Sequence, residues 1–119
     1  MKQSSSDRSE LNLRGILESI EKIQEFTVSV SSADAFYADV RTFDAVLMNF
    51  VVIGELATRL DETFRLKYPM VPWNKVNGFR NIIAHNYFGV DAEEVWQIVQ
   101  TSLPKLKADI ETILQEITS

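Results

Sequence analysis

Residues 42–64 read TFDAVLMNFVVIGELATRLDETF, and the order of apolar and polar side chains in this stretch decides the fold. Val46, Phe50, Ile53, Ala57, Leu60 and Phe64 follow one another at steps of 4, 3, 4, 3 and 4. That repeat keeps one side of an α-helix apolar and seams it against antiparallel neighbours. Met48, Val51 and Val52 fall off the seam. A helix that is apolar beyond one stripe is expected to be buried on two sides, in the domain core and against a second subunit.

The same period runs outward in both directions. Leu13, Ile16, Leu17, Ile20, Ile23 and Thr27 make a stripe at spacings of three and four, so residues from about 9 to 29 read as helix despite Gly15. Ser31-Ser32-Ala33-Asp34 looks like a capped restart leading into a short helix with Phe36 and Tyr37. Downstream, Tyr68-Pro69-Met70-Val71-Pro72 cannot continue a helix, because each proline lacks a donor and disfavours helical geometry just before it. Pro72 suits the first turn of a helix predicted from Trp73 to about Tyr87. Asp91 with Glu94 three residues on predicts a further N-terminus. The stripe Val99, Leu103, Leu106, Ile110, Ile113 and Ile117 follows, with a kink or break expected at Pro104. No β-alternating segment or internal repeat is present. The expectation is one all-α domain, an up-down bundle of four main helices plus a short extra one over residues 10–119, behind a polar tail at residues 1–9.

Composition agrees with a single folded domain. The chain has 119 residues, 45% of them apolar and 24% charged, and a domain of this size buries about two-thirds of its unfolded surface. With no cysteine, disulfides, thiolate metal sites and cysteine nucleophiles are excluded. A single histidine, His85, leaves a zinc site to carboxylates, so no metal and no cofactor is expected. The start, MKQSSSDRSE, is polar and no window reaches about 18 uncharged apolar residues. A soluble, cytoplasmic protein without membrane contact is the expectation.

Net charge is −5, from 12 Lys+Arg against 17 Asp+Glu. Globally this speaks against a sequence-independent nucleic-acid binder. Its distribution says otherwise. From Thr63 to Val90 there is no acidic residue, and Arg65, Lys67, Lys75 and Arg80 give the segment +4. The rest of the chain keeps 8 of the 12 basic residues and all 17 acidic ones, a net of −9. Because screening confines charge effects to about 8–10 Å, such a segment can attract a polyanion locally; it can equally be a solvated face. Arg65, Lys67 and Lys75 are the RNA-binding candidates it offers.

Chemistry concentrates in Arg80-Asn81-Ile82-Ile83-Ala84-His85-Asn86-Tyr87, inside that segment. On an ideal helix Arg80 and Tyr87 stand within about 20° of each other, while Arg80 and His85 are about 140° apart. Only the length of Arg80, or an unwinding near Asn86, lets the last two meet on one ligand. Histidine moves protons near neutral pH, and an arginine fork holds a phosphate and offsets charge developing on it. A dipole partner at a helix end and a surface ion pair account for the same two residues without catalysis. As parts for RNA cleavage they supply a base for the 2′-hydroxyl but only one histidine per chain. A two-fold dimer would bring two copies of the motif to one cleft.

The pattern Arg-x4-His-x-Tyr, here Arg80, His85 and Tyr87, resembles the signature of the HepT-like ribonuclease toxins of the HEPN superfamily. Asp44-Ala45-Val46-Leu47, Ile53-Gly54-Glu55, Pro72-Trp73, Arg80-Asn81, His85 through Asp91, Val95-Trp96 and Leu103-Pro104 resemble further family blocks, so the likeness covers about residues 10–116. It implies an all-helical HEPN dimer that cleaves RNA without metal at the subunit interface. Arg80 and His85 would form the catalytic pair, with Asn81 in support. It also implies a minimal nucleotidyltransferase antitoxin as partner, one that adds AMP to the tyrosine matching Tyr87. Such a modification would set bulk and negative charge beside Arg80. The alternatives are a non-catalytic HEPN-type module that only engages a nucleotidyltransferase, and a helical dimer serving as the antitoxin.

Overall fold

A computed structural model describes residues 5–82 and 91–119, and every regular element among them is helical. Helix α1 spans Ser5–Thr27, α2 Ala33–Ala38, α3 Val40–Thr58, α4 Glu62–Leu66 and α5 Trp73–Gly78. A 3-10 turn, Phe79–Asn81, continues α5. Helix α6, Ala92–Gln97, passes through a π turn, Ile98–Ser102, into α7, Leu103–Thr118.

The core is the set of stripes read from the sequence. Leu13, Ile16, Ile20 and Ile23 of α1, Val46, Phe50, Ile53 and Ala57 of α3, and Leu103, Leu106, Ile110 and Ile113 of α7 are all buried. Gly15, near the middle of α1, faces Leu56, near the end of α3. Glu21, late in α1, lies 3.9 Å from Lys107, early in α7. Both pairings fit an up-down arrangement of the long helices. Phe36 pins α2 in place, its ring 5.1 Å from Phe43 and 5.4 Å from Trp96. A fully buried aromatic of this kind costs about 3–5 kcal/mol when truncated to alanine.

Capping follows the sequence closely. Ser32 Oγ accepts from the Ala35 N–H at 3.1 Å, and Asp91 Oδ1 accepts from the Glu94 N–H at 3.0 Å. Asp39, between α2 and α3, accepts from both the backbone N–H and the hydroxyl of Thr42. Helix α1 begins at Ser5, ahead of the expected start near residue 9, and Ser9 is buried.

Two expectations need correction. The helix expected through Phe64 ends at Thr58. The Arg59 and Leu60 N–H groups bond back to Leu56 and Ala57, and Asp61 turns to extended backbone, φ −61° and ψ 145°, before α4 begins. Arg65 Nη1 donates to the Ala57 carbonyl at 3.4 Å, partly satisfying an acceptor that the helix end exposes. The helix expected from Trp73 to Tyr87 changes hydrogen-bond pattern at Phe79, and its residues 83–87 lie outside the described residues. At Pro104 the expected kink takes a definite form. Proline has no N–H for the Gln100 carbonyl, and the chain widens so that the Leu103 N–H reaches the Ile98 carbonyl five residues back.

Candidate active site

Arg80 and Asn81 sit on the 3-10 turn that follows α5. At about three residues per turn, positions three apart eclipse one another. Phe79 and Ile82 are therefore buried together while Arg80 and Asn81 are turned out to solvent. The Phe79 ring meets Phe50 of α3 edge-on at 5.0 Å, which anchors the turn to the core.

The backbone of the turn is held from the other side by Gly54. A Cβ built on Gly54 would lie 2.4 Å from the Arg80 nitrogen and 3.1 Å from its Cα. Only a residue with no side chain lets α3 come this close to the turn. Arg80 is thus placed by its neighbours on both sides, with its side chain left exposed.

The other basic residues of the acid-free segment divide between two places. Arg65 and Lys75 share an open groove of about 570 Å³, with Trp73, Asn74 and Asn77 also on its walls and the acidic Glu62 at one side. Lys67 is exposed at the C-terminal end of α4 and is not among the described residues lining that groove. Among the described residues, the ion pairs are Arg14–Glu10, Lys22–Glu18, Lys105–Asp109 and Lys107–Glu21. None involves Arg65, Lys67, Lys75 or Arg80, so the positive charge of this segment is not cancelled by direct pairing there.

Asn74, Asn77 and Asn81 fall at steps of three and four, on one side of α5 and its continuation. The Asn77 Oδ1 is buried and has no hydrogen-bond partner among the described residues. The sequence reading missed Gly54 and the asparagine row. The row was visible as a helical spacing; the role of Gly54 depends on a contact 26 residues away along the chain. Trp73 donates its Nε1–H to the Tyr68 carbonyl at 3.0 Å, and Trp96 packs on Phe36, so both act as packing anchors.

His85, Tyr87 and Asn86 lie outside the described residues. The structure therefore places two of the five residues of the expected constellation, Arg80 and Asn81. Among the described residues no helix is long and apolar enough to cross a membrane, and no cluster of His, Asp and Glu could hold a metal ion.

Comparison with known proteins identifies relatives over most of the chain. The family profile described as Ribonuclease HepT-like matches residues 16–113. A Methanocaldococcus jannaschii protein named as a gamma-glutamylcyclotransferase and putative RNase is 39% identical over 105 residues, 88% of this chain; this chain spans only 47% of that protein. A second protein of the same organism, named as a putative RNase, is 37% identical over 85% of this chain and 92% of its own length. A Thermococcus cleftensis protein named as a probable ribonuclease HepT is 35% identical over 85% of this chain and 91% of its own. No solved structure gives a significant match.

Proposed function

The chain belongs to the HepT-like ribonuclease family, and on that premise we propose that it is an endoribonuclease in which Arg80 and His85 act on one phosphodiester. The observation that carries this reading is Arg80 itself: exposed, seated on Gly54, without an acidic partner among the described residues, and five residues ahead of the chain's only histidine.

The chemistry follows from those two groups. His85 as a base takes the proton of the 2′-hydroxyl, and the freed O2′ attacks the adjacent phosphorus. The P–O5′ bond breaks, an acid returns a proton to the leaving 5′-oxygen, and a 2′,3′-cyclic phosphate remains. The Arg80 guanidinium offsets the negative charge that builds on the non-bridging oxygens in the transition state, where such stabilisation is worth most. Asn81, exposed beside it, donates its amide to the same phosphate. A two-fold dimer supplies the second histidine as the acid, and the partly apolar outer side of α3, with Met48 and Val52 exposed, supports such an interface. Arg65 and Lys75 in their groove and Lys67 nearby draw in the RNA backbone.

The biological setting we infer is a cytoplasmic toxin held in check by a minimal nucleotidyltransferase antitoxin, which transfers AMP to Tyr87. An adenylyl phosphate at Tyr87 would bring negative charge close to Arg80 and block an RNA phosphate there. Incubating antitoxin-free protein with total RNA in EDTA tests the enzymatic core. Fragments ending in 2′,3′-cyclic phosphate are expected. Intact RNA would favour the non-catalytic binding module instead.

A further inference from the structure

Beside the turn that carries Arg80 lies a second cavity, of about 310 Å³, between the α5 region and the start of α7. Its walls are apolar: Val76, Phe79 and Leu106 are buried core residues that line it, and Met70 stands half-exposed at its edge. Lys75, Ser102, Lys105 and Asp109 add polar groups. Lys75 also lines the open groove that contains Arg65, so one ammonium group borders both spaces. Ser102 closes the π turn forced by Pro104, a widening that recurs at functional sites in helices.

We propose that this cavity is a nucleobase pocket, taking one splayed-out base of single-stranded RNA while Lys75 holds a neighbouring phosphate in the groove. The inference rests on the ribonuclease reading and adds a binding subsite to it. An apolar pocket with few polar groups suits a flat heteroaromatic ring, and RNA is read mainly through bases unstacked from their neighbours. Charge selects the occupant. Lys75 makes no ion pair among the described residues and lies in a segment free of acidic residues, so its charge is left for a phosphate, while the Phe79 ring in the wall suits a base. Lys105, also on the rim, is held by Asp109 at 2.9 Å and contributes less. Position ties the pocket to the chemistry. Phe79 and Arg80 are consecutive, with Cα atoms about 3.8 Å apart; their side chains diverge, Phe79 into the core and Arg80 to solvent, so the pocket adjoins the turn that carries Arg80 and the abasic series identifies which nucleotide fills it.

The test uses the full chain and 2′-O-methyl hexanucleotides, which have no 2′-hydroxyl to attack, as an intact oligonucleotide and a series with one abasic position each. The native protein is expected to lose about tenfold or more in affinity at one abasic position, the worth of one stacked base. Ser102→Trp fills the cavity, and Met70→Trp fills its mouth from a surface position that leaves the core untouched. Both variants are expected to bind the intact oligonucleotide about tenfold more weakly and to be indifferent to the missing base. A native protein with no abasic penalty, or tryptophan variants that keep it, would overturn the pocket. If native protein cleaves RNA yet shows no penalty, the pocket alone fails; if it neither cleaves nor binds RNA, the ribonuclease reading fails and the pocket with it.

Discussion

Gly54 of α3 supports Arg80: the glycine presents bare backbone to the Arg80 nitrogen, and a single added carbon would stand 2.4 Å from it. The neighbour in this contact is backbone, which cannot swing aside as a side chain would. Gly54→Ala must therefore move the 3-10 turn or the helix. Overpacking of this kind costs about 1–3 kcal/mol, more than alanine's gain of about 1 kcal/mol in helix propensity. We expect a lower melting temperature and cleavage reduced by at least about tenfold, since a misplacement of about 1 Å costs on that order or more.

Gly78 provides the control. It lies at the end of α5 with ordinary helical backbone, φ −66° and ψ −18°, and an added Cβ meets nothing within 4 Å. Gly78→Ala is expected to stabilise the protein by about 0.5–1 kcal/mol and leave cleavage unchanged. Thermal melts and single-turnover rates on the two glycine variants separate close approach from a general dislike of substitution near the site.

Arg65 and Lys75 share a groove and predict a salt signature. Each phosphate contact removed should lower the slope of log affinity against log salt by about 0.7 for a single strand. Lys75→Ala and Arg65→Ala are expected to weaken RNA binding at low salt and flatten its salt dependence, measured by anisotropy over a salt series. Arg65→Ala should in addition lower the melting temperature slightly, because it removes one of the hydrogen bonds to the Ala57 carbonyl, which keeps the Leu60 N–H. Lys67, which does not line the groove among the described residues, should matter less.

Asp39 sets an acid limit on α3. The Thr42 hydroxyl bond, then the Thr42 backbone N–H, hold its carboxyl below the ordinary value of 3.8, with the charge of Arg41 adding to them. A carboxyl whose folded pKa is depressed contributes stability that is present above its unfolded pKa and lost as pH falls through the folded one. The native protein should therefore lose stability below about pH 4 more steeply than Asp39→Asn, which has no carboxyl to protonate. Melting temperatures of the two proteins between about pH 5 and pH 3 check this.

Much of this was legible in the sequence because helices announce themselves by period and caps. Ser32, Asp91 and Pro104 each act where their chemistry says they should. The break after Thr58 was hidden because the apolar spacing runs straight across it. Leu60 is buried and Phe64 half-buried even though a turn separates them from α3, so the pattern carries no mark of the change in direction. At the site, residue type singles out Arg80 as a phosphate-holding cation, whereas the supporting role of Asn81 comes only from the family resemblance. Gly54 and the cavity beside Phe79 were legible from neither, since both arise where elements distant in the chain meet, and local spacing records only near neighbours.

The most direct measurement is the cleavage rate of one defined RNA oligonucleotide by native protein, Arg80→Ala and His85→Ala, each shown to be folded by its melting curve. Arg80 is exposed, so its truncation should leave the fold intact. Cyclic-phosphate products are expected from the native chain, with a rate loss of at least about 100-fold in each variant, the scale of removing a transition-state donor or a general base. Either folded variant cleaving at the native rate would contradict this.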